Sequence, residues 1–313
     1  MIYLAIIPVL GQKITWIKSI TGRTEQNGNQ RLFDKIFKFV FGGEKFSLIH
    51  PVGIYCLEED ALWILDQGLQ SAAIINFNQA KLIKLFSKQN YPSPVSICSG
   101  PSQSVYFTDS ALNKIFVSDP VNDEVVEFAE DYAFRQPTGI AWHPGLNQVF
   151  ISETGMHRIL VFDNTGKLTG NFGERGRGEG QFNFPTYLWI DKNGLLYVVD
   201  SMNFRVQIFS PSGEVVSIFG EQGNSSGYMA RPKGIATDSE GHIYVVDGLF
   251  HSVQIFDRNG QFLDYFGKQG KGDAEFWLPS GIYIDAQDRI FVADSYNSRI
   301  QVFQYVSGQM DGQ

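Results

Sequence analysis

The stretch Pro232–Gly267 reads PKGIATDSEGHIYVVDGLFHSVQIFDRNGQFLDYFG, and Pro185–Gly220 reads PTYLWIDKNGLLYVVDSMNFRVQIFSPSGEVVSIFG. Both stretches begin with proline, carry an acidic residue after their second apolar run, and end in Phe-Gly. Each contains four short runs rich in β-branched and aromatic residues, separated by turn residues such as Asp257–Gly260. Such runs are typical of β-strands, and neither stretch has the apolar periodicity of a helix.

The same unit recurs six times along the chain. Its proline column is Pro51, Pro94, Pro137, Pro185, Pro232 and Pro279, and its acidic column is Asp66, Asp109, Glu153, Asp200, Asp247 and Asp294. Both columns advance in steps of roughly 40 to 50 residues, a period that is typical of four-stranded propeller blades. We therefore predict an all-β fold, a six-bladed β-propeller with blades that start near residues 51, 94, 137, 185, 232 and 279.

The sixth repeat has no fourth strand of its own. The segment Ile14–Gly22, ITWIKSITG, matches the fourth-strand pattern of Val215–Gly220. We therefore expect Ile14–Ile20 to supply the outer strand of blade six and to protect its edge. Residues 14–303 then form one propeller domain, with residues 1–13 as an N-terminal tail or signal remnant and residues 304–313 as a C-terminal tail.

One short helix is predicted near residues 30–41. Its apolar residues fall on one helical face: Leu32, Phe33, Ile36, Phe37, Val40 and Phe41. Two interpretations stay open. The helix packs over the loops of blades six and one, or it docks a partner.

The polar residue of the third strand predicts that this strand is partly exposed. Gln254 alternates with apolar residues in VQIF, which indicates a third strand that approaches solvent.

Cys56 and Cys98 lie on adjacent blades, and packed sheets stand about 10 Å apart. A disulfide needs Cα atoms about 4.4 to 6.8 Å apart. We therefore expect two buried free thiols.

Composition excludes several function classes. The 313 residues carry a formal net charge of −8 and include no basic run, which argues against nucleic-acid binding. No stretch is long and apolar enough to span a membrane, and peripheral membrane association stays open. Residues 1–10, MIYLAIIPVL, have no positive charge before the apolar run and no cleavage site of a signal peptide. No cofactor is predicted.

The repeats resemble NHL-repeat propellers over residues 14–303. The segments PKGIATDSEGHIYVVD, FRVQIF and PSGIYIDAQDRIFVADSYNSRIQVF carry the resemblance. ITWIKSITG, FNFPTYL and FWLPSGI further resemble a bacterial six-bladed family that is exported or lipid-anchored and often encoded beside multihaem cytochromes. This resemblance implies an extracytoplasmic protein, periplasmic or at the cell surface, with a protein partner such as a multihaem cytochrome or an envelope complex.

The repeats also resemble those of peptide-amidating lyase, a propeller enzyme. In that family, three histidines that directly follow the repeat proline hold a zinc ion. The corresponding column here contains no histidine and consists of Val52, Val95, Thr138, Thr186, Lys233 and Ser280. Since zinc needs about three converging protein ligands, the chain departs from this mechanism. His50, His157 and His251 are expected to be exposed loop residues instead, and no metal site is predicted.

The acidic column invites comparison with catalytic carboxylate pairs. It recurs in every repeat, however, which a single catalytic site does not require. We expect these carboxylates to accept backbone N–H groups. Arg158, Arg205 and Arg299 follow at a fixed distance and are expected to pair with them or to brace the loops.

Large apolar residues are concentrated in the loops of repeats four to six. They are Phe184, Tyr187, Met202, Phe204, Tyr228, Phe250, Trp277 and Tyr296. We predict a non-catalytic interaction scaffold whose partner-binding residues include Phe204, Phe250, Tyr187, Tyr296, Lys233 and Arg205. Two alternatives stay open: an enzyme of lyase or hydrolase type with a site at the central channel, and a sensor of a small ligand.

Overall fold

The computed structural model describes residues 6–9, 12–21, 46–58, 60–79, 81–86, 89–119 and 124–306. These residues form six antiparallel sheets, each of them one blade around a central channel. The all-β, six-bladed fold predicted from the repeat columns is confirmed. The helix predicted near residues 30–41 lies outside the described residues.

The strands follow the repeats along the chain. The first described strands are β1 (Ile6–Val9) and β2 (Gln12–Ile20). Blade one contains β3 (Pro51–Glu58), β4 (Ala61–Asp66), β5 (Ser71–Asn76) and β6 (Lys81–Phe86). Blade two contains β7 (Pro94–Ser99), β8 (Val105–Asp109), β9 (Lys114–Asp119) and β10 (Glu124–Phe128). Blade three contains β11 (Pro137–His143), β12 (Gln148–Glu153), β13 (Arg158–Asp163) and β14 (Leu168–Phe172).

The second half of the ring repeats this order. Blade four contains β15 (Pro185–Ile190), β16 (Leu196–Asp200), β17 (Arg205–Phe209) and β18 (Val215–Phe219). Blade five contains β19 (Pro232–Thr237), β20 (Ile243–Asp247), β21 (Ser252–Phe256) and β22 (Phe262–Phe266). Blade six contains β23 (Ile282–Ile284), β24 (Arg289–Asp294) and β25 (Arg299–Val306). Short 3₁₀ turns span Pro101–Gln103, Thr154–Met156, Ser201–Asn203 and Ser295–Asn297.

The repeat proline and the acidic residue mark one face of the ring. Each proline from Pro51 to Pro232 begins an innermost strand and lies opposite the acidic residue that ends the second strand, as in Pro232 and Asp247. The loops after second strands and the connections between blades therefore share this face, which we call the loop rim. The turns after first and third strands form the opposite face, the turn rim.

The ring closes with a strand from the beginning of the described chain. β2 pairs with β25 in antiparallel register, with Ile14 opposite Tyr305 and Ile20 opposite Ile300, as predicted. β1 pairs with β2 and gives blade six a fifth strand. This strand was not predicted, because residues 1–13 were assigned to a tail. β25 also runs three residues beyond the predicted end at 303.

Six hydrophobic clusters hold the blades together, one at each interface between neighbouring blades. The cluster between blades six and one joins Ile20, Phe291 and Ile300 to Ile64 and Phe77. Since each inner strand is covered on both faces by neighbours, second strands such as β16 and β20 are buried along their whole length. The closing interface is therefore built like the other five.

The third strands are more buried than the sequence indicated. Gln207, Gln254 and Gln301 have exposed fractions of 0 to 1%, although their alternation with apolar residues predicted contact with solvent. That expectation was wrong. These amides are covered by the long connection that precedes each blade, and they bond to its backbone.

Glycines let the innermost strands approach one another around the channel. A Cβ atom on Gly139 would lie 1.9 Å from the Thr186 carbonyl oxygen, and one on Gly281 would lie 2.1 Å from the Val52 carbonyl oxygen. Such distances are far inside van der Waals contact. Glycine at these positions is therefore a requirement of the close backbone packing.

The two cysteines are free, as predicted. Cys56 is buried at the interface of blades six and one, and burial raises the pKa of its thiol to about 11. Cys98 is only partly buried by its neighbours, because it lines a cavity at the channel. The expectation that both thiols are buried therefore holds for Cys56 alone. Desolvation also raises the pKa of Cys98.

We expect Ile14→Asp to destabilise the protein by about 3 kcal/mol or more, because it buries an unpaired carboxylate at the closing strand. Ile14 is 1% exposed, whereas Ile17 on the same strand is 41% exposed. Ile17→Asp is the matched control and should change stability by about 0.5 kcal/mol or less. Urea unfolding of both variants measures the difference. Equal midpoints would contradict the closure by β2.

Candidate functional site

The acidic column holds the loop rim together. All six carboxylates are 0 to 1% exposed: Asp66, Asp109, Glu153, Asp200, Asp247 and Asp294. Asp247 accepts hydrogen bonds from four backbone N–H groups, two in the incoming connection and two in its own loop. A buried carboxylate requires such donors, and these satisfy it. The column is therefore structural, as predicted.

The arginine column completes this network in three blades. Arg158, Arg205 and Arg299 donate to Glu153, Asp200 and Asp294 over 2.7 to 2.8 Å. Arg205 also donates to the carbonyl oxygens of residues 177, 178 and 181. Its side chain is 13% exposed and braces the loop, and its partner-binding role stays a prediction.

Glutamines of the third strands fix the long connections of the loop rim. These connections span residues 173–184, 220–231 and 267–278, twelve residues each, and lead into blades four, five and six. Gln254 accepts from the Gly227 N–H and donates to the Tyr228 carbonyl oxygen. Gln207 and Gln301 make the equivalent pairs. In blades one to three the same column is apolar: Ala73, Phe116 and Leu160.

The loop histidines also have structural roles. His157 and His251 accept hydrogen bonds from the backbone N–H groups of Phe184 and Leu278, the residues that precede the next repeat proline. His50 contacts the ring of Tyr296 edge-on at 4.8 Å. Within the described ranges, no three His, Cys, Asp or Glu side chains form a group that could hold a metal ion.

The second position of the loops after the second strands divides the loop rim into two halves. The second residue of the loop after each second strand is small in blades one to three: Gly68, Ala111 and Gly155. In blades four to six it is Met202, Leu249 or Tyr296, with exposed fractions of 51, 53 and 58%. Phe184, Tyr228 and Trp277 are exposed on the neighbouring connections. We call these six residues the apolar half-rim.

A groove lies within the apolar half-rim at blade four. It encloses about 200 Å³ and is lined by Arg177, Met202, Asn203, Phe204, Arg205 and Gln222. Phe204 and Arg205, both predicted to bind a partner, line the same groove. Phe204 is nevertheless half-buried against the cluster of blades four and five and has a left-handed φ of 55°. Phe250 is also half-buried, and Tyr296 is the most exposed of the predicted residues.

Tyr187 lies inside the channel and not on the rim where it was predicted. It occupies the second position after the repeat proline, where other blades carry Gly53, Ser96, Gly139, Gly234 and Gly281. Its ring leaves a central cavity of about 30 Å³, room for one or two water molecules. Its hydroxyl hydrogen bonds with Ser280, and burial raises its pKa to about 12. Tyr187 therefore separates the two ends of the channel.

Lys233 lies at the loop-rim end of the channel, in a column that carries hydroxyl groups in three of the six blades. In blades three, four and six the residue after the proline pairs with a loop hydroxyl: Thr138 with Thr154, Thr186 with Ser201, and Ser280 with Ser295. Blade five has Lys233 and Gly248 instead, and the lysine stem lies close beside Gly248. Lys233 makes no hydrogen bond or ion pair with the described residues. Desolvation, assisted by Arg231, lowers its pKa to about 8.

Comparison with protein families supports the geometry of the repeats. An NHL-repeat model matches residues 276–303, and a model described as a 6-bladed beta-propeller matches residues 126–217. The chain is a six-bladed β-propeller with NHL repeats. Among curated proteins, the propeller is similar to peptidylglycine alpha-amidating monooxygenase of Rattus norvegicus, with 26% identity over 147 residues. That alignment covers 42% of this chain and 14% of the rat protein, so the chain spans a small part of the relative's length.

Solved structures share the fold of the propeller. Virginiamycin B lyase from Staphylococcus aureus is 16% identical with a TM-score of 0.62, over 82% of this chain and 95% of the lyase. An auxiliary nutrient binding protein from Bacteroides thetaiotaomicron is 15% identical with a TM-score of 0.66, over 83% of this chain and 70% of that protein. At these identities the similarity concerns the fold alone. Along the described part of the propeller, no helix has the length and apolar character needed to cross a membrane.

We expect Gln254→Leu to loosen the connection 220–231, because it leaves the Gly227 N–H and the Tyr228 carbonyl without their side-chain partner. Amide hydrogen exchange of the peptide containing Gly227 should accelerate about tenfold, while peptides of the turn rim stay unchanged. Gln261→Leu, in an exposed turn, is the control. Unchanged exchange at Gly227 would contradict the role of Gln254.

Lys233 gives the propeller a pH-dependent stability. Its folded-state pKa of about 8 lies below the unfolded value, so the unfolded chain binds more protons between pH 8 and 10.5. The Lys233 contribution to the free energy of unfolding should therefore rise with pH across this window. The buried thiols of Cys56 and Cys98 act in the opposite direction, because their raised pKa makes the unfolded chain bind fewer protons above about pH 9. The stability of Lys233→Met should therefore fall more with pH than that of the wild type. Urea unfolding at pH 7.5 and 9.5 tests this, with exposed Lys167→Met as control. Parallel pH profiles of wild type and Lys233→Met would refute the depressed pKa.

Proposed function

We propose that this propeller is a non-catalytic scaffold that binds a protein partner through the apolar half-rim. The observation that carries the proposal is the split in the second loop position, small in blades one to three and large, apolar and more than half exposed in blades four to six. Large water-exposed apolar groups that share one face of a protein are typical of protein interaction sites. On the turn-rim side, the exposed large apolar residues among the described ones are Leu146 in a turn and Leu168 and Val306 at strand ends.

A second column divides the ring at the same place. Buried glutamines fix the connections of blades four to six, whereas the equivalent residues of blades one to three are apolar. The surface that presents the apolar groups is therefore ordered by hydrogen bonds before any partner arrives. Because association costs free energy for each segment that must be ordered, a fixed surface favours binding.

The groove at blade four gives the half-rim a concave part. Met202 lies at its edge and Arg177 adds a positive charge to its lining. A partner that places an apolar side chain beside an acidic one would match both Met202 and Arg177. Large anchors at the centre of an interface each contribute about 2 kcal/mol or more.

We expect the triple variant Met202→Ser, Leu249→Ser, Tyr296→Ser to weaken partner capture at least tenfold without lowering the melting temperature by more than a few degrees. The side chains are exposed, so their removal opens no cavity in the core. Quantitative affinity capture from a native envelope extract, followed by mass spectrometry, measures the effect.

The matched control replaces the same number of exposed apolar residues on outer strands. Ile83→Ser, Val126→Ser, Val216→Ser removes side chains that are 54, 46 and 55% exposed. The set of proteins captured by the wild type should persist with this control and disappear with the half-rim variant. Equal loss with both variants would refute the assignment of the half-rim.

An enzyme of lyase or hydrolase type is the second candidate. It is supported by the similarity to the amidating monooxygenase and by the fold shared with virginiamycin B lyase. Against it stands the column after the repeat proline, which has Val, Thr, Lys or Ser where the amidating lyase resemblance requires histidines. Metal analysis of the purified protein separates the candidates, since stoichiometric zinc or calcium would favour the enzyme.

The finer form of the proposal places the protein outside the cytoplasm, in an electron-transfer complex with a multihaem cytochrome. It rests on the resemblance of FNFPTYL and FWLPSGI to the exported bacterial family. Fractionation of cells and reduced-minus-oxidised haem spectra of the captured material test both parts, and captured partners without haem would exclude the cytochrome.

A further inference from the structure

The fifth residue of the innermost strands creates a second site, at the turn-rim end of the channel. Counted from each repeat proline, this column is Tyr55, Cys98, Ala141, Trp189, Ala236 and Tyr283. It is aromatic in blades one, four and six and small in the other three. A cavity of about 200 Å³ lies beside the small residues Cys98 and Ala141. We call it the turn-side cavity.

Aromatic rings form the walls of the turn-side cavity. Tyr55 and Tyr283 meet edge to face at 5.1 Å, and Trp189 contacts Tyr283 at 6.2 Å. Trp142 contributes a fourth ring from blade three. All four rings are partly exposed, so the cavity opens to solvent at this end. No lining residue carries a charge at neutral pH: the rest are Ile97, Cys98, Ser99, Ile140, Ala141, Leu188 and Ile190.

Hydrogen bonds orient three of these rings. The Tyr283 hydroxyl donates to the Cys56 carbonyl oxygen at 3.3 Å, and the Trp189 indole N–H donates to Thr237 Oγ1 at 2.9 Å. The Tyr55 hydroxyl bonds with Ser99. The indole N–H of Trp142 is buried and has no partner in the described structure. Its nitrogen has almost no accessible surface, so Trp142 offers the cavity its ring and not its N–H donor.

The turn-side cavity is independent of the apolar half-rim. Tyr187 fills the channel between them and leaves only about 30 Å³. A molecule can therefore reach the cavity from the turn rim alone. Loss of the half-rim would leave the cavity intact, so the two proposals fail separately.

We propose that the turn-side cavity binds a neutral molecule the size of a single six-membered aromatic ring. An engineered apolar cavity of about 150 Å³ holds benzene, so about 200 Å³ accommodates a ring with one small substituent. The aromatic walls provide stacking and edge contacts for the ring. A charged ligand is disfavoured, because the lining residues offer no counter-charge for a desolvated ion.

Benzamide and benzoate are the matched probes, since they share the ring and differ in charge. N-ethylmaleimide labelling of Cys98 in the native wild-type protein, resolved from Cys56 by mass spectrometry, reports occupancy. We expect benzamide to slow Cys98 labelling by about tenfold at a concentration ten times its dissociation constant, which we place at about 1 mM. Benzoate should need at least a tenfold higher concentration to slow Cys98 labelling to the same extent. Equal protection by both probes, or none at 20 mM benzamide, would overturn the proposal.

Two further measurements test the ring contacts. Trp142→Ala removes one of the four aromatic walls, so it should weaken both benzamide and toluene by about threefold to tenfold. Methyl β-glucoside, a neutral saturated ring, tests for a sugar: protection by glucoside and not by benzamide would overturn the aromatic class. Should Trp142→Ala fail to fold, toluene on wild-type protein tests the ring contacts, and no protection by saturating toluene would refute them.

Discussion

A carboxylate buried at the end of each second strand determines the arrangement of the loop rim. Without water around it, such a group requires several donors, and they come from two directions: its own loop and the connection that arrives from the preceding blade. Asp200 collects the Asn183 N–H from the connection, the Asn203 amide from the loop and the Arg205 guanidinium from the third strand. Each carboxylate therefore links one blade to the segment that precedes it. These six carboxylates therefore fix where the loops and connections of the loop rim lie.

On this common frame, the two halves of the ring differ in what they present. Blades four to six have glutamines beneath their connections and large apolar side chains at the second loop position. Blades one to three have apolar residues in place of the glutamines and Gly or Ala at that loop position, and their exposed apolar side chains on this rim are Ile49 and Met156. The additional hydrogen bonds and the exposed apolar groups occur together, at the same three blades. A surface that is both ordered and apolar is adapted to association, whereas either property alone has a structural explanation.

The fold could be predicted from the sequence because the repeat columns record contacts that each blade makes with the next. The role of Gln254 could not, since a polar residue that faces solvent and one that is covered by a loop give the same alternation. Tyr187 was placed on the rim because it stands near the repeat proline, yet the innermost strand carries it down the channel. The turn-side cavity joins Tyr55, Cys98, Trp142 and Trp189 from four blades, and their meeting depends on the radius of the ring, which no single repeat encodes.

The glycines of the innermost strands determine that radius. At Gly139 and Gly281 the peptide groups of adjacent blades are already in contact, with no side chain between them. Backbone packing is far less compressible than a side-chain layer, because no rotamer change can relieve it. The central channel therefore has a fixed width, which side-chain substitutions elsewhere do not increase. Recognition of small molecules is thereby confined to the two ends of the axis, where side chains alone decide what fits.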